Sequence, residues 1–477
     1  MQKKYHRKDF LKLALLTNLS FYSKPLHFLA GEKKDTEESS AGKENLVYYK
    51  KGDPQYEVLR KGFNKRIDKF PLLIAECKNT EGVAEAIRYA IQKGLPVAVK
   101  SGGHCMEGFS CNNGGMVINL SLLNKTGWIN NNTIITGPGT TLSQLYDELL
   151  PKKKIIPGGS CGGVGIGGLV LGGGYGLMAR RYGLTCDSLL ELTMVDGTGA
   201  IRNSKDDKEL LWACRGGGNG NFGVVTELKF KTQDAPQTLQ SFRFKTHNVN
   251  TAKAKQILKN WFEQVKHLPE SCFSAFVLNR KTVYILVTNS DRHNDALQKI
   301  MDTFSKLADK TTKTKPQPLA TALKVYYGRP QPQFFKNASA GLYKDFGDIE
   351  NCIDKVIDTV IATPGMIYQV NTLGGKIQQT EFEVDSAFPH RAYPYFSELQ
   401  TYWETENQGK KLLEKFAAVQ NLFTANGNNV QYRNYPDINF KNWDAMYYGN
   451  NYARLQQVKN KYDPKNLIRH DQSIKNA

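Results

Sequence analysis

Short apolar runs alternate with helical apolar spacing along the first half of the chain. The run at 72–76 reads as a strand. Val83, Ile87, Ala90 and Ile91 recur at helical spacing, and Gly94 stands where a helix should stop. A second apolar run at 96–100 completes a βαβ unit over 72–120. Leu142, Leu145 and Leu149 share a face and predict a helix over 140–150. Residues 189–195, followed by Asp196-Gly197-Thr198-Gly199, read as a strand and hairpin. A helix at 207–213 and a strand at 224–231 close this half. After Gln233 glycines become sparse, and long helices (251–268, 294–307, 409–425) alternate with strands (282–288, 368–371, 393–402). Glu398, Gln400 and Tyr402 fall on one face of the last strand. This order predicts an α+β protein whose second domain lays helices on an antiparallel sheet.

One stretch breaks both periodicities. Residues 157–176 read PGGSCGGVGIGGLVLGGGYG, with eleven glycines in twenty positions. Such a run is costly to order. Flexible linkers are Gly/Ser-rich and polar, whereas Val164, Ile166, Leu169, Val170 and Leu171 belong in a core. No three-residue glycine period exists, which excludes collagen. The remaining reading is a backbone surface lying against something flat or phosphorylated. Gly163, Gly165 and Gly168 match G-x-G-x-x-G, but that fingerprint opens a helix, and here more glycine follows. Cys161 is the one reactive side chain in the run.

Composition adds limits. The 477 residues suffice for two or three domains and are 40% hydrophobic. The net charge of +19 comes from scattered lysines with no nucleic-acid-binding motif, so it reads as a basic solvated surface. Eight cysteines include no CxxC, and no metal site is expected; Cys105 and Cys111 are close enough in sequence to pair. No run of about 18 apolar residues occurs, so no membrane span is expected. Arg7–Lys12 resembles a twin-arginine export signal with lysine for the second arginine, so residues 1–30 are expected to direct export. The polar stretch 31–45 reads as a linker.

Further loops invite close backbone approach. Ser101-Gly102-Gly103-His104-Cys105 follows a strand, where backbone N–H groups can cradle a phosphate. Residues 215–223 read RGGGNGNFG, and the chain then offers NYPD at 434–437, YYGNNYARL at 447–455 and YDPKN at 462–466. In this order, over about residues 46–475, the set resembles the berberine bridge enzyme-like flavin oxidases of the vanillyl-alcohol oxidase superfamily.

That resemblance implies a two-domain α+β flavoprotein. An FAD-binding domain over 46–235 is rejoined by 431–477, and a central antiparallel-sheet substrate domain spans 236–430. It implies FAD linked covalently to His104 and Cys161. Ser101, Gly102, Gly103, Cys105, Gly108, Gly158, Gly159, Gly165, Gly168, Gly173, Gly174, Gly223, Val225, Tyr448 and Asn451 are implied to bind the cofactor. Glycines are expected there because Cβ atoms would obstruct it. Val164, three residues past the cysteine, resembles the small residue of members that react with oxygen. Hydride oxidation needs a base: Tyr435 matches the tyrosine of the sugar oxidases, and Glu398 matches the glutamate of the alkaloid-cyclising members. Gln369, Asn371 and Gln400 resemble substrate-pocket residues. A phenol ionises near 10, so Lys376, His390 and Arg391 are candidates for lowering Tyr435. The expected reaction is oxidation of a hydroxyl-bearing small molecule, a sugar foremost, with molecular oxygen as acceptor. The alternatives are oxidation of a secondary metabolite, another electron acceptor, or a basic surface-binding protein that has kept the fold.

Overall fold

The structure is a computed structural model that describes residues 44–379 and 381–477. The expected export segment, and the expected linker as far as residue 43, lie outside the described residues.

A four-stranded sheet begins the fold, ordered Leu46–Tyr49, Leu73–Cys77, Met116–Asn119, Val97–Lys100. The expected βαβ unit is present with one difference. Met116–Asn119 slots between its two strands and runs parallel to both, so the strands joined by the helix are not neighbours. All four residues of the inserted strand are buried, so it fits only a central position. The helix Thr80–Lys93 is capped by the Asn79 side chain, which accepts from the Gly82 N–H at 2.8 Å. It ends on Gly94 in the left-handed conformation. Its apolar face packs on this sheet and on a second, antiparallel sheet ordered Thr126–Asn130, Thr133–Thr136, Gly223–Lys231, Leu189–Asp196, Ile201–Asn203.

The central part is an eight-stranded antiparallel sheet. Seven strands form its path, Lys310–Lys313, Thr238–Thr246, Thr282–Asn289, Cys272–Asn279, Met366–Thr372, Tyr395–Trp403, Phe334–Tyr343, and the eighth, Gln317–Pro318, pairs with Thr238–Thr246 off that path. The helices Thr251–Val265, Asp295–Leu307, Ile353–Ala362 and Glu406–Ala425 bury one face. The other face carries Phe273, Ala275, Val277 and Ile367 against Tyr175 and Leu177, at the end of the glycine stretch. The sheet therefore turns one side to its own helices and the other to the glycine-rich half of the molecule. The chain's last part returns to the start: Val97 accepts from Arg469 N and donates to Leu467 O.

This is the α+β architecture expected. The Phe334–Tyr343 strand was not expected, and the 393–402 strand runs as Tyr395–Trp403. All eight cysteines are free, so the suggested Cys105–Cys111 disulfide is absent.

Candidate active site

The SGGH loop and the glycine stretch are built into each other. A Cβ on Gly102 would lie 2.4 Å from Gly165 N, and one on Gly165 would lie 2.1 Å from Ser101 Oγ. Ser101 Oγ itself donates to Pro138 O at 2.6 Å. These glycines are required by chain packing on chain, a different reason from the close ligand approach expected. Gly103 and Gly108 both adopt φ +70. Gly165 caps a short helix, Ile166–Leu171. The G-x-G-x-x-G match thus does run into a helix, contrary to the reading from the glycines that follow. Leu169, Val170 and Leu171 turn their apolar side chains to the core there, which stabilises the helix despite Gly167 and Gly168.

This joint places His104 beside Gly163, whose Cβ would stand 3.0 Å from His104 Nε2. Phe63 stacks on the imidazole, centroids 4.4 Å apart. Burial pushes the imidazole down to about 4, so it is neutral at ordinary pH and holds a lone pair for bond formation. Cys161 is exposed, and a Cβ on Gly328 would stand 3.7 Å from its Sγ. Desolvation by the protein around it raises its thiol above the usual value, and Glu398 adds to this.

The inner face of the large sheet carries a connected polar ladder. Tyr402 OH donates to Gln400 Oε1 at 2.9 Å, and Gln400 Nε2 to Gln369 Oε1 at 3.3 Å. Gln369 Nε2 donates to Asn371 Oδ1 at 2.7 Å, and Asn371 Nδ2 to Glu398 Oε1 at 3.1 Å. Asn337 Nδ2 completes it on Glu398 Oε2 at 2.9 Å. Antiparallel register explains the grouping: Gln369 lies opposite Glu398, and Gln400 opposite Asn337. Glu398 is buried; burial raises its carboxyl, and the Asn337 and Asn371 amides oppose that rise. Aromatic contacts connect this ladder to His104: Phe63 meets Phe335 edge-on at 6.0 Å, and Phe335 stacks on Tyr402 at 5.8 Å.

Tyr435 is half-buried, stacked on Tyr432 and edge-on to Phe396 at 5.2 Å. Its backbone O accepts from Ser339 N at 2.8 Å. Burial raises its phenol well above 10, and Glu398, Cys161, Tyr432 and Tyr175 raise it further. The three suggested cations do not serve it. Lys376 pairs with Glu381 at 3.1 Å, and Arg391 is bound to Asp187 and Ser386. His390 is pushed down to about 4 by burial and is neutral. Each finds a partner or a desolvated place elsewhere.

The remaining expected residues separate. Gly173 and Gly174 have positive φ, and Gly174 N donates to Tyr432 OH at 3.0 Å. Asn434 joins three segments: it donates to Leu169 O and Tyr432 OH and accepts from Asn219 Nδ2 at 2.8 Å. Gly158 packs on Leu142 and Tyr146, while Gly159 has ordinary room and Gly168 open space. Val164 is half-buried against the core. Cys105 Sγ accepts from Phe109 N. Val225 is buried in the core, and Gly223 pairs with Asp196 in the sheet, where a Cβ would meet Met194 and Val195. Tyr448 is buried, its OH accepting from Arg433 Nε at 2.9 Å, and Asn451 Nδ2 donates to Ala387 O.

Residues 71–205 match a family model described as an FAD binding domain, and residues 431–475 one described as berberine and berberine like. An FAD-linked oxidoreductase of Bacillus subtilis (strain 168), YvdP, is 30% identical over 453 residues, covering 89% of this chain and 96% of the relative. The chain belongs to the berberine bridge enzyme-like family of FAD-linked oxidoreductases. A chitooligosaccharide oxidase of Gibberella zeae is 28% identical over 439 residues, with 87% and 89% covered. The solved structure of a carbohydrate oxidase from Microdochium nivale in complex with a substrate analogue superposes with TM-score 0.81 at 25% identity, covering 91% of this chain and 98% of that one.

The residues of this oxidoreductase fit an FAD. A neutral imidazole and an exposed thiol stand on loops locked together by glycines. Asn219, in the RGGGNGNFG loop, keeps a buried Oδ1 with no donor among the described residues. No helix among the described residues is long and apolar enough to cross a membrane, and no cluster of metal-ligating side chains occurs among them. The sequence reading missed Asn337 and Phe63. Asn337 stands beside Lys336 between the apolar pair Phe334-Phe335 and Ala338, a usable signal; Phe63 has no local one.

Proposed function

We propose that this oxidoreductase oxidises a sugar or oligosaccharide at its anomeric carbon, with FAD held through His104 and Cys161 and with oxygen reduced to hydrogen peroxide. The observation that carries the reading is the amide and carboxylate ladder from Gln400 to Asn337, bordered by Phe335 and Tyr402. Polar groups at fixed spacing beside aromatic rings suit a ligand with many hydroxyls and apolar C–H faces. The named activities of the Gibberella and Microdochium proteins point the same way. When bound, FAD would supply the hydride acceptor and the site of oxygen reduction.

Tyr435 takes the proton of the substrate hydroxyl. Its phenol is raised well above 10, so it does not rest as a phenolate; it passes its own proton on as it accepts another. Glu398 is the carboxylate acting on it and receives that proton. Gln369, Asn371 and Gln400 orient the substrate, and Val164 leaves oxygen room near the cofactor. The test is anaerobic mixing of the purified yellow protein with sugars, alcohols and alkaloids, followed by peroxide assay in air. Bleaching by sugars and peroxide release support the reading. Bleaching only by alcohols or alkaloids overturns the substrate class, and bleaching without peroxide overturns the acceptor.

Acid precipitation should leave the flavin in the pellet. His104→Ala or Cys161→Ala alone should keep it there, and the double variant should release it. Release from the wild type would disprove attachment. Because the His104 imidazole is neutral above about pH 4, attachment in a Cys161→Ala background should be flat with pH above that and fade as the pH falls toward it.

A further inference from the structure

One buried ammonium joins the segments that carry the site. Lys336, on the Phe334–Tyr343 strand, puts Nζ 2.7 Å from Glu107 Oε1 and 2.7 Å from Asp437 Oδ1. Side-chain exposures are 4% for the lysine, 2% for Glu107 and 1% for Asp437. Glu107 lies three residues after His104, and Asp437 two after Tyr435. Lys336 also precedes Asn337, which donates to Glu398.

The cluster is closed. Arg66 donates to Glu107 Oε2 at 2.7 Å and to Met106 O at 3.0 Å. Asp437 accepts from Asn439 N at 3.0 Å and from Gln420 Nε2 at 3.4 Å. The Phe416 ring lies 5.3 Å from the ammonium. Two cations face two carboxylates, so the charge balances.

Buried ion pairs seldom add net stability, because desolvation offsets the attraction. Their established use is to specify one arrangement over others, and here the arrangement is informative. His104 and Tyr435 both sit on irregular segments, which need an external tether to hold a side chain closely. Lys336 stands on a strand hydrogen-bonded along its length to Tyr395–Trp403, which carries Glu398.

We propose that Lys336 is a positioning residue that registers the His104 loop through Glu107 and the Tyr435 loop through Asp437, both onto the strand pair that presents Glu398. The proposal rests on the roles given above to His104 and Tyr435.

The test compares Lys336→Met with the charge-balanced Lys336→Met/Asp437→Asn. The first readout is the rate at which added FAD attaches through His104 to flavin-free protein in a Cys161→Ala background. The second is kcat and KM with whichever of glucose, maltose, cellobiose and chitobiose bleaches the wild type fastest. Misplacement by about 1 Å can cost about a hundredfold in rate. Both variants should therefore attach FAD at least about tenfold more slowly and lose about tenfold to a hundredfold in kcat, with KM changed far less. The double variant should regain melting temperature without regaining either rate. If it folds and attaches FAD at wild-type speed with wild-type kcat, Lys336 only balances buried charge and the proposal is overturned. Wild-type rates in Lys336→Met overturn it too. Should no sugar bleach the wild type, the substrate reading fails while the attachment rates still decide the role of Lys336.

Discussion

Replacing Tyr435 with phenylalanine should slow flavin reduction by about 10²–10⁴-fold, the range expected for loss of a general base. The ring keeps its stacking on Tyr432 and its edge contact with Phe396, so packing around the site is preserved. The backbone bond from Ser339 N to Tyr435 O is untouched. Only the hydroxyl is lost, and with it the route by which the substrate's proton leaves. Acid precipitation should still find the flavin in the pellet, because His104 and Cys161 lie on other segments. Stopped-flow reduction under anaerobic conditions measures the effect. A variant that reduces its flavin at nearly the wild-type rate would remove Tyr435 from the chemistry. If Tyr435→Phe is fast while Glu398→Gln is slow, the carboxylate itself is the base.

The parts of this site visible in the sequence were those with local signatures. The SGGH loop, the glycine stretch and NYPD each carry residues whose type is dictated by nearby backbone, such as Gly165 against Gly102. Glu398, Gln400 and Tyr402 shared a face by strand alternation alone, and they do so in the structure. The Phe334–Tyr343 strand was hidden for a physical reason. It is buried on both faces and irregular between Ser339 and Gly341, so it shows no two-residue alternation. The Lys336 pairs span 229 and 101 residues, beyond any local pattern. Charge type alone also misled: Lys376 and Arg391 could be read as partners of Tyr435 until Glu381 and Asp187 were seen to hold them.

Glu398→Gln should separate stability from activity. Burial raises the Glu398 carboxyl. A carboxylate raised on folding gives stability that is full below its unfolded value and is lost as pH rises through the folded one. Glutamine carries no such loss, so the variant should melt at or above the wild-type temperature at pH 8. That difference should shrink as the pH approaches the ordinary glutamate value of about 4.3. The replacement is sterically mild, and its hydrogen bonds can be kept. Asn371 still donates to Oε1. The new Nε2 would face the donor of Asn337, but Asn337 Oδ1 is buried without a partner among the described residues, so turning that amide over lets Oδ1 accept from Nε2 and moves the unpartnered position from Oδ1 to Nδ2. Activity should move the other way. Without a carboxylate to receive the proton passed on by Tyr435, flavin reduction should fall by about a hundredfold or more. In the wild type, reduction should be lost as pH falls through the raised Glu398 value, and the variant's slow rate should lack that acid limb. A Glu398→Gln protein that reduces its flavin at the wild-type rate, or that keeps the same acid limb, would show that Glu398 does not accept the proton.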